Sequence, residues 1–276
     1  MRINILRNRR IQVTLIFLFV FLILFLILSD YIQTEFSKIK PNFFYSLCEK
    51  AWAHKGYTKK NNAKIPENSL LSFNEAVLSS AKGTELDIFY DVDLKDFIVS
   101  HNFPYEKIEG KLLTLKEVFK QYHDKLFFWL DFKNLAALSD DKTKESVEKM
   151  LNLLEKNKLS EKVIIESPSP RKLSYFVKKN IHTSYWIALP SEKNPRISFV
   201  LMSLFYKLNY LIYGNFSAFS MRYDRFSEKA FNAFKNVPFH LFTVNDKEKI
   251  TQLMKYENIK IILTDENYFN LNSCEK

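Results

Sequence analysis

FFWLDFKN, residues 127–134, sets an apolar run directly against an acid and a base, Asp131 and Lys133. GTELDIF, residues 83–89, repeats the arrangement with Glu85 and Asp87. Side chains two apart on a strand point to one face, so Glu85 pairs with Asp87 and Asp131 pairs with Lys133. An isolated Glu-x-Asp is more often a solvated face than a ligand pair, and Asp-Phe-Lys alone is an ordinary surface charge pair. Placed together at the ends of successive apolar strands, they point to a shared site, because parallel barrels build their sites at strand C-termini.

Outward from these two stretches, apolar runs alternate with helical patterns to the end of the chain, the rhythm of βα units. Predicted strands are 51–54, 84–89, 126–132, 162–166, 184–189, 216–220, 239–244 and 260–264, with a short extra strand at 97–100 forming a hairpin arm. Between them, 69–81, 115–122, 144–156, 171–179, 226–234 and 247–256 carry the amphipathic spacing of crossover helices. Eight strands alternating with helices predict an α/β fold, a closed (β/α)8 TIM barrel, and 276 residues suffice for its usual length of about 250. His54 closes the first strand. A barrel would aim three carboxylates and an ammonium group at one point, which is costly unless a cation or an anionic substrate compensates. A hard divalent ion with oxygen ligands is the natural partner.

Before the barrel, Ile11–Ser29 reads IQVTLIFLFVFLILFLILS, uncharged and close to the length of a bilayer core. A cleaved signal peptide would have a shorter apolar stretch ending in small residues. Arg2, Arg7, Arg9 and Arg10 precede the span, which predicts a cytoplasmic N-terminus and the rest of the chain on the extracytoplasmic side. The expected organisation is a basic segment at 1–10, a transmembrane helix at 11–29, a linker at 30–45 and the barrel domain at 46–276. A second apolar stretch, Ile197–Tyr213, is interrupted by Lys207 and Asn209 and reads as a helix of the barrel domain.

The net charge of +10 favours anionic partners, but basic residues are scattered and no zinc-finger spacing occurs, so nucleic acid is not expected as a partner. With four glycines there is no Walker or Rossmann loop. The two cysteines, Cys48 and Cys274, flank the first and last strands, which closure brings together, so a disulfide is expected between them in an oxidising compartment.

HKG at 54–56, PENSLLSFNEA at 66–76, GTELDI at 83–88 and VSHN at 99–102 resemble the start of glycerophosphodiester phosphodiesterases, whose usual pattern is HRG, PENT, an E-x-D strand and HD. LDFKN at 130–134 is similar to the family's third-strand E-x-K, IIES at 164–167 to its fourth strand, and LFTVND and IILTDE, at 241–246 and 261–266, to its last two. The resemblance covers about Trp52 to Glu266. It implies metal-dependent hydrolysis of a phosphodiester of glycerol or a (lyso)phospholipid to an alcohol and a phosphomonoester. Glu85, Asp87 and Asp131 would hold Mg2+ or Ca2+, and His54 and His101 would be general acid and base. Lys55 and Lys133 would contact the phosphate, Glu67 and Asn68 would brace the first loop, and Asn245 and Phe242 would line the mouth.

Four positions depart from the pattern: Lys55 for Arg, Asn102 for Asp, Asp131 for Glu and Phe242 for Trp. They bear on substrate choice and turnover more than on reaction class. The competing reading, a catalytically silent membrane-anchored barrel that binds lipid head groups or a protein, predicts loss of a histidine or a ligand, and all five are present. His123, His182 and His240 lie away from the motifs and read as structural. The short interval from His101 to Asp131 leaves no room for an inserted domain, so an open mouth is expected, suited to a glycerophosphodiester or a lysophospholipid substrate.

Overall fold

A computed structural model of the chain describes residues 2–40, 48–60, 63–108, 110–191 and 195–271. A long N-terminal helix, α1 (Arg2–Ser37), leads to eight parallel strands. These are β1 (Ala51–Ala53), β2 (Gly83–Asp91), β3 (Phe127–Phe132) and β4 (Val163–Ser167), then β5 (His182–Trp186), β6 (Ala218–Arg222), β7 (Phe239–Phe242) and β8 (Ile259–Thr264). Neighbours in sequence are neighbours in space, and β1 pairs with both β8 and β2, so the sheet closes on itself as a (β/α)8 barrel. Crossovers are made by α2 (Leu70–Leu78), α3 (Leu115–Tyr122), α4 (Asp140–Asn157), α5 (Pro170–Val177), α6 (Arg196–Tyr213), α7 (Glu228–Ala233) and α8 (Lys247–Met254). The expected arm is present: Asp96–Val99 runs antiparallel to β2 and continues to Leu113–Thr114.

Helix starts follow from local chemistry. The Ser69 hydroxyl accepts from the Ser72 amide and the Thr114 hydroxyl from the Glu117 amide, each in a reciprocal capping box, and Ser139, Ser227 and Asp246 cap α4, α7 and α8. The core has two layers. Inside the barrel, Trp52, Trp129, Ile164, Ile261 and Leu263 form a small apolar plug beneath the mouth. A larger layer, including Leu86, Leu130, Ile165, Phe219 and Phe239, fills the space between sheet and helices. The alternation along β2 and β3 sends Leu86 and Leu130 outward and their acidic neighbours inward.

Closure between β1 and β2 is slight. The two pair at one position, Ala53 opposite Thr84, and the Thr84 hydroxyl accepts from the Gly56 amide at 3.0 Å. By contrast β2 and β3 stay in register from Gly83 opposite Phe127 to Ile88 opposite Phe132.

α1 contains a stretch, Gln12–Ser37, whose 26 residues and peak mean hydropathy of 2.8 are enough to cross a bilayer. The helix does not stop near residue 29. It runs through the expected linker to Ser37 because its last turns find partners on the barrel. Phe36 packs edge-on against Tyr210 and Phe234, Lys207 donates to Gln33 Oε1, and Asn236 Nδ2 donates to the Ser37 carbonyl. Cys48 is disulfide-bonded. Its expected partner, Cys274, lies outside the described residues.

Candidate active site

The acidic centre is set by strand register. Asp87 lies opposite Asp131, and Asp131 opposite Glu166, so β2, β3 and β4 each present a carboxylate at one level of the mouth. Glu85 sits two residues below Asp87 on the same inward face. One carboxylate oxygen from each of Glu85, Asp87 and Asp131 lies within 4.8 Å of the others. Ligand oxygens of a hard divalent cation sit at about 2.0–2.6 Å from the ion, so three around one ion fall within this spread.

The loop after β1 folds over this centre. Lys55 and Gly56 take left-handed backbone angles, φ +55° and +78°, and a Cβ on Gly56 would meet Ser72 Oγ at 2.3 Å, so only glycine fits. The turn aims the Lys55 amide at Glu85 Oε2, 2.9 Å away. Asn68, at the start of α2, donates through Nδ2 to Asp87 Oδ2 at 2.8 Å and accepts the Asp87 amide on Oδ1 at 3.0 Å. One side chain thus fixes both the backbone and the carboxylate of Asp87.

Two imidazoles flank the acids. His54 Nδ1 is 2.8 Å from Asp265 Oδ1, and its Nε2 is 4.0 Å from Glu85 Oε2. Donation to a carboxylate places the proton on Nδ1 and leaves Nε2 directed into the site. His101 Nδ1 lies 2.9 Å from both Asp87 Oδ2 and Lys55 Nζ, so its Nε2 is also the free nitrogen. Lys133 Nζ reaches Asp87 Oδ1 at 2.6 Å and pairs with Asp131 Oδ2, while Lys55 Nζ is 3.3 Å from Glu67 and 3.6 Å from Asp87.

The electrostatics carry an imbalance. Burial first, then the charges of Asp87 and Asp131, push the Glu85 carboxyl well above the usual carboxylate range. Burial and Asp131 do the same to Glu166, and burial raises Asp131 although Lys133 opposes it. Asp87 is lowered, because Lys133, Lys55 and the Asn68 hydrogen bond outweigh its own burial. Burial works against the charge of Lys133, but Asp131 and Asp87 outweigh it and hold the ammonium protonated above the ordinary lysine range. Fully ionised, the four carboxylates around this cavity would outnumber its two ammonium groups by two charges, the difference that one divalent cation would close.

That cavity, about 520 Å3, is lined on its polar side by His54, Lys55, Glu85, Asp87, His101, Asp131, Lys133 and Glu166 and on its apolar side by Trp129, Phe132, Trp186 and Phe242. Eight of the eleven residues singled out from sequence therefore meet in one cavity, and Glu67, Asn68 and Asn245 stand outside its lining. Asn245 does not line it. Its side chain donates to Asp265 Oδ2 at 2.7 Å and accepts the Asp265 amide at 2.8 Å, so it holds the carboxylate that holds His54. Glu67 reaches Lys55 and Asn68 reaches Asp87, the bracing expected of them.

Sequence reasoning missed Glu166 and Asp265. Glu166 ends the apolar run VIIE as Asp131 ends FFWLD, and Asp265 follows the last strand directly, so both carried the signal of an acid at a strand end. The other histidines are structural. His240 is buried within the barrel against the Trp129 ring, and burial holds its pKa down to about 3; His123 bonds its own helix through the Phe119 carbonyl, and His182 pairs with Ser217.

No family model matches the chain, and no curated protein matches it. Solved structures do. A glycerophosphodiester phosphodiesterase from Parabacteroides distasonis aligns with a TM-score of 0.60 at 17% identity, covering 80% of this chain and 94% of that one. A putative glycerophosphoryl diester phosphodiesterase from Agrobacterium tumefaciens aligns at 0.61 and 13% identity, covering 79% and 94%. An Oleispira antarctica phosphodiesterase, in complex with the product sn-glycerol-3-phosphate, aligns at 0.59 and 16% identity, covering 83% and 97%. At these identities the likeness is one of architecture: the chain has the (β/α)8-barrel fold of the glycerophosphodiester phosphodiesterases.

Proposed function

We propose that the chain is a membrane-anchored, metal-dependent phosphoric diester hydrolase that cleaves a phosphodiester of glycerol or of a (lyso)phospholipid. The observation that carries this reading is three carboxylates within 4.8 Å of one another, set between two histidines that each keep Nε2 free. Named relatives of the same fold act on glycerophosphodiesters, and one is recorded with sn-glycerol-3-phosphate as product.

Glu85, Asp87 and Asp131 would hold Mg2+ or Ca2+, which would supply positive charge to polarise a phosphoryl oxygen and offset the charge that builds in the transition state. Lys133 and Lys55 stand beside the same carboxylates and would hold the non-bridging phosphate oxygens as point charges. One histidine takes the proton of the attacking nucleophile at Nε2 and the other returns a proton to the departing alkoxide. Asp265 keeps His54 in the required tautomer, and Asn245 keeps Asp265. Trp129, Phe242 and Trp186 supply a wall that limits water and strengthens these charges.

The test is product analysis of the purified full chain on glycerophosphocholine and on lysophosphatidylcholine, with and without divalent cation. Release of a phosphomonoester and an alcohol in the presence of cation alone is the expected result. Intact diesters under both conditions would reject the hydrolase and favour a silent binding barrel. The arginines ahead of the apolar span of α1 support a cytoplasmic N-terminus with the barrel outside. A C-terminal reporter that functions only outside the cytoplasm is expected to give signal, and activity from a cytoplasmic reporter alone would reverse the topology.

A further inference from the structure

α6 exposes an apolar stripe that the barrel does not use. Ile197, Val200, Leu201 and Phe205, spaced to lie along one face, are 61%, 43%, 45% and 52% exposed. Farther along the helix Ser203, Leu204, Lys207 and Tyr210 are buried. On α1 the covered positions are Phe25, Ser29, Ile32, Glu35 and Phe36, again toward one side of a helix.

Contacts between the helices fix their direction. Gln33 meets Lys207, and three residues on Phe36 meets Tyr210. Further back, the half-covered Ser29 and Phe25 correspond to the buried Ser203 and the partly buried Phe199. The two helices therefore run side by side in the same sense. α6 follows the C-terminal end of β5, and its first residue lies ten positions after Trp186, which lines the catalytic cavity. Its N-terminus is thus at the mouth of the barrel. The Ser37 carbonyl meets Asn236, just ahead of β7, so α1 ends at the opposite, closed face.

We propose that the catalytic mouth faces the bilayer that α1 spans, with the N-terminal half of α6 lying among the lipids of the near leaflet. By the pairing above, Arg196 lies level with Leu22, and the remainder of the span, back to Gln12, continues past the mouth for roughly 15 Å at about 1.5 Å per residue. The exposed stripe of α6 is then side by side with the lipid-facing surface of α1, and the membrane that covers one covers the other. Phe103, two residues after His101 in the loop beside the site, is likewise exposed. A mouth in this position receives its phosphodiester from the membrane, so the substrate class is an amphiphile with one phosphodiester head group, a lysophospholipid. This last step rests on the hydrolase reading; the orientation does not.

Two measurements separate them. The full chain is reconstituted into phosphatidylcholine vesicles with an environment-sensitive fluorophore on Leu201→Cys or, as reference, Leu78→Cys, which is exposed at the closed-face end of α2. Nitroxide-labelled lipid is expected to quench the label at 201 and leave that at 78 unchanged. Quenching at 78, or none at 201, overturns the orientation. In the activity arm, Ile197→Glu with Leu201→Glu is expected to lower hydrolysis of vesicle-embedded lysophosphatidylcholine about tenfold or more, since charged groups do not enter the leaflet. Hydrolysis of water-soluble glycerophosphocholine should stay within about twofold, because neither residue touches the site. Equal losses on both substrates, or no loss on either, overturn delivery from the membrane. Should the parent protein hydrolyse neither, the hydrolase reading falls while the quenching result still decides the orientation.

Discussion

Glu85→Gln is expected to abolish diester hydrolysis and, in cation-free protein, to raise the melting temperature. Loss of a ligand to a cation that stabilises transition-state charge removes several kcal/mol, a fall in turnover on the order of 10³-fold or more. The stability change has the opposite sign because Glu85 is buried among like charges, which raises its pKa. A carboxyl raised in the folded state contributes stability that is full below its unfolded pKa and is lost as pH rises through the folded value. Glutamine carries no carboxylate to be desolvated beside Asp87 and Asp131, and it keeps an oxygen for the Lys55 amide. The rise should be a few degrees, at about 2–4 °C for each kcal/mol in a domain of this size. Added Mg2+ or Ca2+ should raise the melting temperature of the parent by mass action and leave that of the variant nearly unmoved. Calorimetry with chelator and then with each cation checks all three signs. A variant with parental turnover, or a parent indifferent to cation, rejects the metal centre.

His54→Ala and His101→Ala should each lower turnover by about 10²–10⁴-fold while leaving the cation-induced stabilisation intact, because general acid-base groups contribute to proton transfer and not to metal holding. Their effects should not multiply. Losing either partner already cripples a concerted transfer, so the double variant should resemble the worse single one. Asp265→Asn should produce a smaller loss than His54→Ala, confined to kcat with KM little changed, since the imidazole remains but its tautomer is no longer fixed by a carboxylate. Parental turnover in either alanine variant would remove the histidines from the chemistry while leaving the barrel untouched.

The barrel was legible because each strand is an apolar run closed by a polar break, and all eight occur within a few residues of their expected places. The hairpin arm and the helical nature of the second apolar stretch were legible for the same reason. Two boundaries shifted, one at a local cap and one where tertiary partners decide it. α4 starts at Asp140 because Ser139 caps it, ahead of the expected 144, and α1 continues to Ser37 because Gln33 and Phe36 find α6 and α7. Ser139 and the two aspartates after it are a local start signal, whereas no local pattern announces the contacts of α1.

Within the site, the residues on strands were readable from the period of two, which puts Glu85 with Asp87 and Asp131 with Lys133. The residues acting through another residue were not. Asn245 reads as a polar lining group, yet its two bonds to Asp265 depend on how β7 and β8 end beside each other. Glu166 shares its level with Asp131 through strand register, which a single sequence does not contain.

The slight closure between β1 and β2 has a dynamic consequence. One Cα pairing and one threonine hydroxyl hold a joint that elsewhere in the barrel is held by a full ladder, so the cheapest local opening of the cylinder is there. The chain segment that leaves this joint is the one bearing His54 and Lys55. Slow breathing of the barrel is thereby concentrated at the lip of the mouth, and amide protons at Gly56 should exchange with solvent well before those shared by β2 and β3. An ion bound between Glu85 and its neighbours would tighten that same joint, since the Lys55 amide rests on Glu85, so occupancy of the centre and quiet in the lip become one event.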